Sequence, residues 1–317
     1  MNYSKTEGTF VSSNGKDNIH YFVYSPENAV PRGIFQISHG MVEHIERYET
    51  EGFVARIAEM GFVVCGNDHI GHGKTAPTER DLGVIEDYRN LADDLHILHD
   101  LMKKKYPTLP YILFGHSMGS FVARTYIAKY NDIDGCILSG TTDGGQPLGA
   151  GIARSSFLCL FGKKNRSKLI TGISFGSNNK RFESEGAVNS WLSSDPEVRA
   201  RKENDLYSNF MFSVCGFREL FKMIRFITSD EWIEKVPKSL PVRIISGEFD
   251  PLGADGVGIK SLYEKLRDAE ICSLEMYLVR NGRHEPFNDV VKDDFFTKID
   301  VWTSEMVEGV VASKTVG

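Results

Sequence analysis

Short apolar runs separated by amphipathic stretches dominate the first 140 positions. Ile34-Phe35-Gln36-Ile37, Phe62-Val63-Val64-Cys65, Tyr111-Ile112-Leu113-Phe114 and Cys136-Ile137-Leu138 are too short for buried helices and read as strands covered on both faces. Between them the period changes. Phe53, Ile57 and Met60 fall on one helical face, and positions 88, 91, 95, 98 and 102 advance in steps of three and four. Phe121, Val122, Thr125 and Tyr126 mark a third helix. Ahead of this rhythm, Thr9 to Ser13 and Asn18 to Ser25 flank Asn14-Gly15, which predicts a β-hairpin.

After Gly140 the rhythm stops. The next hundred or so residues are glycine-rich, then basic, then aromatic, and contain no sheet-like run. It resumes with the strand Val242 to Ile245, a helix near Gly258 to Arg267 and a strand from Ser273 to Val279. A last helix carries Phe295, Ile299, Trp302 and Met306. Alternating strands and helices predict an α/β class with a mostly parallel central sheet flanked by helices. The expected organisation is a core of residues 1–140 and 238–317, with a largely helical cap insertion at 141–237. So long an insertion points to a functional lid.

Composition narrows the function. The chain has 317 residues, 41% apolar and 25% charged, with a formal charge of −6, so a nucleic-acid partner is not expected. Contact with a membrane is expected to be at most transient, through the insertion. Five cysteines are odd in number and lack C-x-x-C spacing. Cys65, Cys136 and Cys272 are expected to be buried in strand-like stretches of a protein from a reducing compartment. The first residues lack a signal-peptide core, which makes the cytoplasm the expected location.

Polar and glycine residues gather just after the strands, where parallel sheets place ligands. Gly115-His116-Ser117-Met118-Gly119 fits G-x-S-x-G between an apolar strand and a helix. A sharp strand-to-helix turn exposes the serine, so Ser117 is the expected nucleophile and Gly115 and Gly119 keep its neighbours small. A serine needs a base, and the base an orienting carboxylate. In the order Ser, acid, His, the residues are Ser117, Asp250 and His284, the last two each just beyond a late strand. Glu248 and Asp255 are rival acids. His39-Gly40-Met41 follows the first strand of the rhythm, which makes the amides of Met41 and Met118 the expected oxyanion donors.

Two histidine groups have spacings that invite a metal: Asp68-His69-Ile70-Gly71-His72, and Asp94, His96 and His99 on one helix. Neither has an H-E-x-x-H pattern, and they are read as a hydrogen-bonded loop and a solvated helix face, so no metal or cofactor is expected.

His39 to Tyr48 (H-G-M-V-E-H-x-x-R-Y), Asn67 to Lys74 (N-D-H-x-G-H-G-K), Gly115 to Gly119 and Gly282 to Glu285 (G-R-H-E) together resemble the monoacylglycerol lipase and lysophospholipase group of α/β hydrolases. The resemblance covers about two thirds of the chain and leaves Gln146 to Lys235 unmatched. It implies a Ser117–Asp250–His284 triad, oxyanion amides at Met41 and Met118, no cofactor, and a cap over an acyl pocket. The expected substrate is a small single-acyl ester. Phe157, Phe161, Phe212 and Phe217 are the aromatic residues of the insertion expected to line its pocket, although such stripes also serve simply as packing. An aminopeptidase would need carboxylates for the substrate ammonium, and Glu183, Glu185, Asp195 and Glu197 are available. Dehalogenase or epoxide hydrolase chemistry would need a carboxylate at position 117. A short-chain esterase on the same triad, or a binding protein that keeps only the fold, are the remaining alternatives.

Overall fold

The hairpin forms where Asn14-Gly15 predicts it. The side-chain carbonyl of Asn14 accepts the amides of Lys16 (2.8 Å) and Asp17 (3.1 Å), closing the turn between β1 (Tyr3–Val11) and β2 (Asn18–Pro26). A computed structural model describes residues 3–27, 29–144 and 148–316; residues 1, 2, 28, 145–147 and 317 of the expected core and insertion lie outside it.

The chain continues through β3 (Gly33–Ser38), α1 (Ile45–Thr50), α2 (Phe53–Glu59), β4 (Phe62–Asn67), α3 (Arg89–Lys105), β5 (Tyr111–His116), α4 (Met118–Ile127) and β6 (Gly135–Ser139). Between β6 and the next strand lie α5 (Leu148–Cys159), α6 (Lys168–Phe175), α7 (Pro196–Asn204), α8 (Val214–Ile227) and α9 (Asp230–Lys235). Then come β7 (Val242–Gly247), α10 (Val257–Asp268), β8 (Leu274–Val279) and α11 (Lys292–Val316).

The strands form one eight-stranded sheet in the order β1-β2-β4-β3-β5-β6-β7-β8. β1, β2 and β4 pair antiparallel, and every other neighbouring pair is parallel. This is the α/β-hydrolase fold. Strand residues alternate between two cores. Ile34, Leu113 and Leu138 pack with α3, α4, α8 and α10 on one face; Phe35, Phe114 and Ile137 pack with α1, α2 and α11 on the other. Burying both faces is why these strands read as continuous apolar runs.

Cys272 departs from expectation. β8 begins at Leu274, so Cys272 falls in the connection after α10 and is exposed; Cys65 and Cys136 are buried in strands.

The helical segment between β6 and β7 is fastened at both ends by one buried side chain. Arg124, on α4, donates to the carbonyl of Thr142 (2.6 Å) at its start and to that of Ile227 near its end. Trp232 of α9 lies against the guanidinium and donates its indole N–H to the Arg124 carbonyl at 2.7 Å. Burial pushes the Arg124 pKa down to about 9, so it still carries its charge at neutral pH. Removing it strands two buried carbonyls. Arg124→Ala should therefore lower the unfolding free energy by about 2–5 kcal/mol in urea titration. A loss below about 1 kcal/mol would show that the fastening is dispensable.

Candidate active site

The turn from β5 to α4 carries the site. Ser117 has φ 53° and ψ −123°, a conformation L-residues avoid, at a cost of about 1–3 kcal/mol. Close packing holds it there. A Cβ on Gly115 would lie 2.4 Å from the Gly119 carbonyl oxygen, and one on Gly119 would lie 1.9 Å from that of Ser38. The Ser117 amide is tied to the Ser139 carbonyl at 2.9 Å, and its side chain stands at the N-terminus of α4.

His284 Nε2 lies 2.9 Å from Ser117 Oγ, and its Nδ1 lies 2.9 Å from Asp250 Oδ1. Asp250 follows β7 and His284 follows β8, so adjacent parallel strands deliver both. Asp250 is fully buried and also accepts from Ser246 Oγ (3.0 Å) and the Leu252 amide (2.9 Å), which fixes both carboxylate oxygens. Neither rival acid is here: Glu248 accepts the Asn281 amide, and Asp255 pairs with Arg181 on the surface.

Burial disfavours charge on both partners, but their mutual attraction outweighs it. The Asp250 pKa is held below the ordinary carboxylate value, and the His284 pKa is held above 6.5 by the carboxylate and its hydrogen bond. Trp191, from the helical segment, covers the His284 ring with centroids 4.8 Å apart, and its carbonyl accepts the His284 amide at 3.2 Å. Sequence reasoning passed over Trp191, because nothing local marks a loop tryptophan as a partner for a distant histidine.

The His39 to Tyr48 and Asn67 to Lys74 blocks build the floor beside Ser117. His39 Nδ1–H donates to the Gly40 carbonyl (2.8 Å), while its Nε2 accepts the His69 amide (3.0 Å). His69 Nε2 meets Ser38 Oγ at 3.1 Å, and His72 Nδ1 meets the Ile70 carbonyl at 3.1 Å. Burial keeps all three rings neutral, with pKa values lowered to about 3 for His69 and about 4 for His72, and well below 6.5 for His39. Asp68 accepts the amides of Ile45 (2.9 Å) and Lys74 (2.8 Å), and a Cβ on Gly73 would collide with its carboxylate.

Glu43 accepts the Gly40 amide (3.1 Å) and the Tyr48 hydroxyl (3.0 Å), which sets the loop that carries Met41. Arg47 joins Glu43 (3.3 Å) to Glu285 (3.1 and 2.5 Å), all three buried. Burial opposes the Glu285 charge, yet Arg47 holds its pKa far below the usual range.

A chamber of about 50 Å³ opens at Ser117, lined by Met41, Met118, Phe121, Phe175, Phe221 and Leu252 among others. Ser174 and Phe221 also border a groove of about 490 Å³ between α5 and α6. The structure redistributes the expected aromatic lining. Phe212 and Phe217 are buried and pack behind the chamber, their rings 5.5 Å apart, with Phe217 stacked on Phe221. Phe157 and Phe161 are not at the site. They stand on the outer end of α5 and just beyond it, 59% and 69% exposed, against each other. Their apolar spacing is that of a packed stripe, but no core element covers that side of the helix end.

Comparison with known proteins agrees with the fold. The family described as "Serine aminopeptidase, S33" matches residues 29–290. The chain belongs to this family. It is 30% identical to the monoglyceride lipase of Rattus norvegicus over 90% of this chain and 86% of that protein. It is 31% identical to the monoacylglycerol lipase of Mycolicibacterium smegmatis over 48% of this chain, and the match spans only about half, 53%, of that relative. A thermostable carboxyl esterase from Bacillus coagulans, solved with glycerol, superposes with a TM-score of 0.88 at 33% identity, covering 96% of this chain and 99% of that one.

In this S33-family chain the buried Arg47 is the group whose loss is easiest to read. Arg47→Met removes the main counter-charge of two buried carboxylates, leaving them only the neighbouring Lys202, and should cost about 3–5 kcal/mol in denaturant unfolding. Adding Glu285→Leu should recover part of that loss; a double variant less stable than the single one would refute the uncompensated-charge account.

Proposed function

We propose that this chain is a serine hydrolase that cleaves carboxylic esters of single-acyl lipids, of the monoacylglycerol or lysophospholipid type, through an acyl-enzyme on Ser117. The observation that carries the reading is the continuous contact from Ser117 through His284 to Asp250, opening on an apolar chamber. Ser117 Oγ attacks the ester carbonyl as His284 Nε2 takes its proton, and Asp250 stabilises the imidazolium. The amides of Met41 and Met118 receive the oxyanion. The same imidazolium protonates the leaving alcohol, and water then hydrolyses the acyl-enzyme with His284 again as base. No cofactor enters.

Two features favour a lipid ester over a peptide. Among the described residues no carboxylate lines the chamber. Of the acids an aminopeptidase would use, Glu185 is taken by Arg283 and Arg199, and Asp195 caps α7. The α5–α6 groove, lined by Leu148, Ile170, Ile173 and Phe221, has the size of a small-molecule pocket and would take the acyl chain once Phe221 turns aside. Exposed Phe157, Leu160, Phe161 and Ile173 form the surface through which the cap would touch lipid transiently. All five cysteines are unpaired, which supports a reducing compartment such as the cytoplasm. Among the described residues no helix is long and apolar enough to cross a membrane.

The reaction requires neutral His284. Because its pKa is raised, kcat/KM should fall in acid through one ionisation with a midpoint above 6.5. The stability the charged pair supplies is complete below 6.5 and lost as pH rises through the folded value, so activity appears where that stabilisation fades. Asp250→Asn should lower kcat by about a thousand-fold or more and move the midpoint downward, since the carboxylate that raises it most is then gone. An Asp250→Asn variant near wild type, with Asp255→Asn or Glu248→Gln inactive, would reassign the acid.

Substrate choice is tested by a series of glyceryl and p-nitrophenyl monoesters. Efficiency should climb over the first several carbons, by up to about 0.8 kcal/mol, roughly four-fold, per buried methylene. Long triacylglycerols should react poorly, because the groove accepts one chain. A flat profile from acetate to octanoate, or faster turnover of aminoacyl anilides, would contradict the lipid reading.

A further inference from the structure

The helix-face histidines are placed differently from the sequence expectation. Asp94 turns away from them and accepts the Ser12 hydroxyl (2.9 Å) and the Ser13 amide (2.7 Å). In its place the connection after α4 brings Asp132 to His96 and His99 on α3. His96 Nδ1 lies 2.9 Å from Asp132 Oδ2, and His99 Nδ1 lies 3.7 Å from the same oxygen. Asp100 lies alongside, its Oδ1 at 3.2 Å from His99 Nδ1. The two imidazole rings are nearly parallel, 11° apart, so they present corresponding edges to the carboxylate.

Hydrogen bonding decides what His99 offers. Its Nε2 faces the Asp132 main-chain carbonyl at 3.1 Å, and a carbonyl only accepts, so Nε2 carries the hydrogen. A neutral ring then has its lone pair on Nδ1, aimed between two carboxylates. That arrangement is repulsive unless a proton or a metal cation sits among the three groups. An imidazole whose far N–H is held by a carbonyl, beside a carboxylate held in turn by a hydroxyl, is the usual outer support of a metal site. Here Tyr126 supplies the hydroxyl, donating to Asp132 Oδ1 at 2.8 Å. The ring of Tyr130 stacks on His96 with centroids 3.9 Å apart and fixes its plane.

The spacing fits as well. Bonds of about 2.0–2.1 Å to a tetrahedral zinc place its ligand atoms about 3.3 Å apart. The donor separations of 2.9 and 3.7 Å bracket that edge, and one atom from each of His96, His99 and Asp132 lies within 4.8 Å of the others. His99 is buried, while His96 and Asp132 are partly exposed, so an ion has a route in.

We propose that His96, His99 and Asp132, with a water as fourth ligand, form a binding site for a zinc-type divalent cation that clips α3 to the α4–β6 connection. None of these residues lines the chamber at Ser117, so the role is structural and the hydrolysis does not depend on it. A ligand that binds only the folded state raises its melting temperature.

The test uses the full chain with Cys272→Ser, which removes the exposed thiol as a rival ligand, after exhaustive treatment with EDTA. Calorimetric titration with zinc chloride should show one equivalent bound, and zinc should raise Tm. Cobalt substitution should give the visible spectrum of a four-coordinate nitrogen and oxygen site. His99→Gln and Asp132→Asn should each weaken binding by about 100-fold or more and abolish the Tm rise, with ester turnover unchanged. Melting of each variant in EDTA establishes that it is folded. No binding up to about 100 µM zinc, or binding that survives His96→Ala and His99→Gln, would overturn the proposal.

Discussion

Ser117 is held at φ 53° because β5 must end and α4 must begin within one residue, and the surrounding backbone leaves room for nothing else. Ser38 on β3, Gly115 on β5 and Gly119 on α4 meet at contact distance, so the sheet, α4 and the His39 loop are placed by one packing event. The strain is sustained by the two cores on either side of the sheet, which position β3 and β5 independently of the turn. The other parts then arrive by topology. Asp250 and His284 come from the ends of β7 and β8, on the same edge where parallel sheets gather their ligands.

Around this point the structure separates charge from neutrality. His39, His69 and His72 are buried and kept uncharged, so they act as spacers with directed hydrogen bonds. His284, whose pKa is raised by the buried carboxylate it hydrogen-bonds, is also the histidine that touches Ser117. Glu43, Arg47 and Glu285 form a separate buried ionic group that fixes the loops bearing Met41 and His284. The helical segment reaches into this arrangement at several points. Trp191 lies on His284, and Lys202 donates to the Val42 carbonyl at 3.1 Å.

The sheet strands and the elbow were legible because each depends on local signals. Continuous apolar runs mark doubly covered strands, and a G-x-S-x-G between strand and helix marks a strained turn. Chain order and a place after a strand point to Asp250, but only coordinates show that it contacts His284 while Glu248 and Asp255 pair elsewhere. The aromatic residues between β6 and β7 were not. Their spacing predicts a stripe but not which neighbour covers it: Phe212 and Phe217 are enclosed, while Phe157 and Phe161 face outward. Phe121, Phe175 and Phe221, which do line the chamber, carry no pattern that sets them apart. The pairing of His96 and His99 with Asp132 rather than Asp94 is likewise tertiary, since a helix face shows which residues are neighbours but not what packs against them.

The central claim is that acyl transfer passes through Ser117, activated by His284. Its most direct measurement is mass spectrometry of the protein after brief exposure to a fluorophosphonate or a slowly turned-over long-chain ester, followed by peptide mapping. The account predicts one stoichiometric adduct on the peptide containing Ser117, and markedly slower labelling at a pH below the His284 ionisation. An unmodified Ser117, with the adduct on another residue or absent while the ester is still hydrolysed, would contradict it.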